Sequence, residues 1–172
     1  MLTKSLIEKY FVAEKNACLV FIIIGIITTL VAITGYLVYK NNFWKGAFIP
    51  LLLLGTVQII TAYMPYKKAD EFRTANVYAM DMNPSLLREK ELPRMQQLQR
   101  SINLFRWIEI ALIVVAAVLI FRFRANPEQV YWYGFGVALL IQSAILLVGE
   151  VMAGQRASGY LLQLEAFIKQ IG

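Results

Sequence analysis

Residues 105–123 read FRWIEIALIVVAAVLIFRF, and Glu109 is the only ionisable side chain between Arg106 and Arg122. A helix needs roughly 20 predominantly apolar residues to cross a hydrocarbon core about 30 Å thick, so this stretch predicts a transmembrane helix. It also raises a question of placement. A carboxylate near the start of such a helix has to face something other than lipid.

Three more stretches have the same character. Residues 17–39 (ACLVFIIIGIITTLVAITGYLVY), 43–63 (FWKGAFIPLLLLGTVQIITAY) and 130–153 (VYWYGFGVALLIQSAILLVGEVMA) are each long and apolar enough to span. The whole chain of 172 residues is 59% hydrophobic and 16% charged, against about 45–50% and about 25% for soluble domains. Its mean hydropathy is +0.58. The expectation is an all-α, polytopic membrane protein, a four-transmembrane-helix bundle forming a single domain over residues 1–172. The first span follows a long polar start without a convincing small-x-small cleavage site, so it is expected to be permanent.

Charge sets the expected orientation. Of the 17 Lys and Arg residues, Lys40, Lys45, Arg122 and Arg124 flank the two short connections, and the other 13 fall with the termini and the central segment. By the positive-inside rule both termini and residues 64–104 face the cytoplasm. A bacterial inner membrane is expected from the compact size and short loops. The net charge of +6 is therefore read as insertion signal and lipid contact, not as a nucleic-acid site.

The central segment reads as a cytoplasmic helical hairpin extending the second and third spans. KKADEFRTANVYAM prolongs the second span after Pro65, and DMNPS breaks it. Asn83 before Pro84 offers an N-cap, and Pro93 starts or kinks the returning helix, which continues to Phe123 as one rod. The flanks, residues 1–16 and 154–172, are amphipathic cytoplasmic tails. LTKSLIEKYF groups Leu2, Leu6, Ile7 and Tyr10 in a pattern suited to an interfacial helix. SGYLLQLEAFIKQI aligns Tyr160, Leu164, Phe167 and Ile171, a face expected to lie on the hairpin or on the membrane surface.

The candidate site residues follow from helical spacing. Met95, Leu98, Ile102, Phe105, Glu109, Leu112 and Ala116 recur in steps of three and four, which puts Glu109 on a packing face. Gly136, Ser143, Glu150 and Ala157 fall seven apart in the fourth helix, so Glu150 lies on a line of small residues. The third and fourth spans are antiparallel neighbours, which sets Glu109 and Glu150 at similar depth. Gln58 shares a face with Gly55 and Ala62, and Cys18, Gly25 and Ala32 fall seven apart. Glu109, Glu150, Arg106, Gln58 and Ser143 thus form the candidate intramembrane polar or ion site. Gly25, Gly55, Gly136 and Gly154 are the candidate helix-packing positions. Two uses compete for the carboxylates: ion-paired residues that fix helix register, or the lining of a proton or cation pocket.

No catalytic residue, metal site or cofactor is expected. Histidine is absent, which removes the usual general base and commonest metal ligand, and the single Cys18 permits no thiolate cluster. The leading functional expectation is a non-enzymatic protein that contacts a membrane-protein partner or its own copies, in the bilayer or on its cytoplasmic face. The plan of four spans with both termini inside resembles colicin-A-type immunity proteins, which neutralise pore-forming toxins. That resemblance implies an immunity-type or assembly role. The alternatives are a small oligomeric cation- or proton-coupled transporter using Glu109 and Glu150, and a membrane enzyme acting on a lipid or quinone through Glu109, Glu150, Arg106 and Lys67.

Overall fold

The computed structural model describes residues 2–171. Four long helices account for nearly all of it, and no strand occurs among the described residues. Helix α1 covers Lys4–Thr34 and ends in a π-helical turn, Gly35–Tyr39. Helix α2 covers Asn42–Met82 and contains Pro50 and Pro65. A π-helical turn, Leu87–Glu91, leads into α3, Leu92–Phe123, and α4 runs unbroken over Val130–Ile171. All four are long and apolar enough to cross a membrane.

The connections are short for local reasons. Lys40 adopts a left-handed conformation (φ 50°) that turns the chain, and Asn41 caps α2 by accepting from the Trp44 amide at 2.9 Å. Asn126 caps the other connection through the Glu128 amide at 3.1 Å. At the far hairpin Asn83 ends α2, and its side chain accepts from the Ser85 hydroxyl at 2.7 Å instead of capping the next helix. Pro93 lies in the first turn of α3, directly after the π-helical turn, whose Leu87 carbonyl accepts from the Leu92 amide.

Packing runs in a chain, with α1 on α2, α2 on α4 and α4 on α3, while α1 and α3 make little direct contact. The most apolar stretches of the four helices, long enough to cross a membrane, leave most of their surface uncovered by the bundle. Ile23, Ile27 and Leu30 on α1 and Val114, Val118 and Phe121 on α3 point outward. The densest apolar core lies instead beyond the spans, where all four helices extend. Leu2, Ile7 and Phe11 meet Ala79, Leu87, Met95, Tyr160 and Leu164 there. We call this end, which carries both termini, the terminal bundle.

The terminal bundle corrects the expectation for the N-terminal tail. Residues 4–16 are not a separate helix lying on a membrane surface. They are the first turns of α1, and Ile7, Tyr10 and Phe11 are buried against the hairpin and α4. The C-terminal segment takes the hairpin of its two expected supports, as a continuation of α4 with Tyr160 and Leu164 buried. The side chain of Ile171, the last member of its predicted stripe, lies outside the described residues.

Candidate functional site

The predicted polar residues separate into two groups at different depths. In the middle of the spans, Thr28 donates to Gln142 Oε1 at 3.3 Å, Gln142 Nε2 donates to Gln58 Oε1 at 2.7 Å, and Gln58 Nε2 donates to the Phe21 carbonyl at 2.9 Å. This chain of bonds joins α1, α2 and α4. Buried amides need partners, and here each amide answers another, so Gln58 serves as an interhelical tie. Ser143, the sequence neighbour of Gln142, is fully buried with its hydroxyl unpartnered.

Glu109 on α3 and Glu150 on α4 are near enough to feel each other's charge, and Arg106 acts on Glu150 in the same way. Glu109 is 6% exposed, and one carboxyl oxygen has no hydrogen-bond partner. Gly154 makes room for Arg106: a Cβ there would meet the guanidinium Nη2 at 2.7 Å. Glu109, Glu150 and Arg106 are therefore together, as helical spacing predicts, while Gln58 belongs to the other group. Lys67 is exposed on α2 and joins neither.

The small-residue faces are used inside the molecule. A Cβ on Gly25 would come within 3.0 Å of the Gly55 carbonyl oxygen, and one on Gly136 within 3.2 Å of the Ala116 carbonyl oxygen. These glycines bring α1 to α2 and α4 to α3. They do not present an open face to a second chain.

A cavity of about 200 Å³ lies where the spans meet the terminal bundle, and all four helices contribute to its wall. Its apolar lining includes Ala17, Phe21, Leu98 and Phe105, and Glu14, Glu150 and Arg156 supply charge. Glu150 is the one predicted site residue on this wall. Lys15 stands one residue from Glu14 but turns away to pair with Asp70 on α2. The exposed Asp70 carboxyl is held below the usual carboxylate range by that hydrogen bond.

Beneath the cavity is a buried polar cluster. Glu91, 3% exposed, receives a two-pronged contact from Arg94, with Nε to Oε2 at 2.8 Å and Nη2 to Oε1 at 2.7 Å. The Arg94 guanidinium also lies over the Phe72 ring at 4.4 Å and the Phe11 ring at 5.4 Å. Burial works against its charge, but Glu91 outweighs burial and holds the Arg94 pKa above its ordinary value. Tyr10 stacks on Tyr160 at 4.3 Å and donates to Met95 Sδ at 3.8 Å. The Tyr160 hydroxyl lies beside Glu91 without an acceptable hydrogen bond. Burial foremost pushes both phenols up, and also raises Glu14.

Glu91 and Arg94 are not among the residues that helical spacing singles out. The missed signal is continuity: the stripe that placed Glu109, extended backward from Met95, reaches Glu91 and then Leu87 in steps of four. No group of His, Cys, Asp and Glu among the described residues has the geometry to hold a metal ion. No family model, curated protein or solved structure matches this chain.

Proposed function

We propose that the chain is a non-enzymatic inner-membrane protein, its termini and α2–α3 hairpin cytoplasmic, that works by contacting a membrane-protein partner through the terminal bundle. The carrying observation is an apolar stripe on α2 beyond the span. Ala75, Tyr78 and Met82 follow one another at i, i+3 and i+7, and Tyr78 and Met82 are 60% and 69% exposed. Lipid accounts for exposed apolar side chains within a span but not for a stripe this far along a cytoplasmic helix. Contiguous exposed apolar surface of this kind marks interaction sites. The asymmetry of Lys and Arg supports the orientation.

Photo-crosslinking side chains placed at Tyr78 and Met82 in intact cells are expected to capture one discrete protein partner. The same probe at Lys9 and Arg88 on the same bundle is expected to capture none. Equal labelling from all four positions, or none from any, would reject the stripe as a contact surface. The approach of Glu109 to Glu150 favours the transporter reading as the alternative. An immunity-type or assembly role remains one form of the main proposal.

A further inference from the structure

The cavity at the span boundary is built for a ligand with two opposite charges and an apolar tail. Its wall is drawn from all four helices at the level where the spans meet the terminal bundle, which is headgroup depth if the apolar stretches cross a bilayer. Phe21 on α1 packs against Gly149 on α4, and the two helices run in opposite directions. Stepping seven residues from that contact along each helix sets Glu14 and Arg156 at one level, and both line the cavity. Their charges influence each other, yet among the described residues neither takes part in an ion pair.

A carboxylate and a guanidinium thus share one apolar wall without a direct salt bridge between them. Burial above all raises the Glu14 carboxyl, and Arg94 from the cluster beneath, more than Arg156, acts against that rise. Glu150 lies deeper on the same wall, and Arg106 offsets its charge. Guanidinium recognises phosphate through paired N–H donors, and a carboxylate accepts from a primary ammonium. A phosphate and an ammonium two carbons apart offer Arg156 and Glu14 a partner each. The acyl chains would then leave past Phe21 and Phe105 into the bilayer.

We infer that this cavity binds a zwitterionic aminophospholipid, with Arg156 on the phosphate and Glu14 on the ammonium. The test uses the purified, delipidated full chain in a non-ionic detergent, and follows thermal unfolding during titration with each lipid. Phosphatidylethanolamine should bind at least about tenfold more tightly than phosphatidylcholine, whose quaternary ammonium has no N–H to donate. It should exceed phosphatidylglycerol, which lacks the cation, by a similar factor. Arg156→Gln should weaken phosphatidylethanolamine and phosphatidylglycerol alike. Glu14→Gln should remove the advantage of phosphatidylethanolamine over the other two. Equal binding of the three lipids by the wild-type chain would overturn the assignment whatever the variants do. Water-soluble glycerophosphoethanolamine separates the two sources of the headgroup: weak binding supports a lipid, and binding as tight as the lipid's overturns it in favour of a soluble phosphoamine.

Discussion

Tyr160 carries a hydroxyl into one of the driest places in the molecule. The residue is 2% exposed, its ring is stacked on Tyr10, and its oxygen has no partner. A buried hydroxyl without a hydrogen bond costs about 1–3 kcal/mol. Tyr160→Phe keeps the ring and removes the cost, so it should be neutral or stabilising by about 1 kcal/mol at neutral pH. Differential scanning measurements would show this as a Tm raised by about 2–4 °C, and a fall of that size would contradict it. Alkaline pH gives a second readout. Burial first, and then the negative charge of Glu91 for Tyr160 and of Glu14 for Tyr10, raise both phenols above the ordinary value of about 10. A raised pKa means that the folded state holds protons the unfolded state has lost. The stability these groups contribute is full below about pH 10 and disappears as pH climbs through the folded values. The Tm of the wild-type chain should therefore drop above about pH 10, and less steeply in Tyr160→Phe. Parallel curves would show that the phenols are not responsible.

Helices α2 and α4 touch backbone to backbone near the two short connections. A Cβ on Gly46 would meet the Tyr131 carbonyl oxygen at 1.9 Å, and one on Gly134 would meet the Phe43 carbonyl oxygen at 2.2 Å. Carbonyls cannot rotate away as side chains can, so a methyl at either site must push two helices apart. Gly46→Ala should cost about 1–3 kcal/mol in unfolding measurements in detergent. Gly159→Ala, with nothing within 4 Å of the added carbon, should cost nothing and serves as the control. The spans and the seven-residue faces were legible because span length and helical spacing are properties of the helix itself. Met95, Ile102, Glu109 and Ala116 are buried as that spacing requires, whereas Phe105, on the same predicted stripe, is exposed. The approaches of Gly46 to Tyr131 and of Gly134 to Phe43 were not legible, because each glycine sits among aromatic residues that also suit a membrane interface. The N-terminal residues illustrate a different limit. Leu2, Ile7 and Tyr10 form an apolar face equally suited to a lipid surface or a protein groove, and only the hairpin decides between them. The Glu91–Arg94 pair escaped because Pro93 reads as an interruption. The π-helical turn before it carries the stripe through without loss of phase.

Orientation belongs to the whole molecule. Single cysteines at Glu8, Ala125 and Lys169, in a Cys18→Ser background, would report it through a membrane-impermeant thiol reagent. Ala125→Cys should react in intact spheroplasts, whereas Glu8→Cys and Lys169→Cys should react only after permeabilisation. The reverse pattern would place the terminal bundle outside and overturn the cytoplasmic assignment. The cored bundle carries a consequence for biogenesis. Its aromatic stack joins residue 10 to residue 160, so it stays unfinished until nearly all of the described chain has left the ribosome. Until then Ile7, Phe11 and Met95 lack the α4 surface that covers them, and quality-control factors can find them bare. A fourth helix inserted upside down would carry Tyr160 and Leu164 to the opposite side of the bilayer, and the stack would never close. Closure of the stack thus differs between a correctly threaded chain and a misthreaded one.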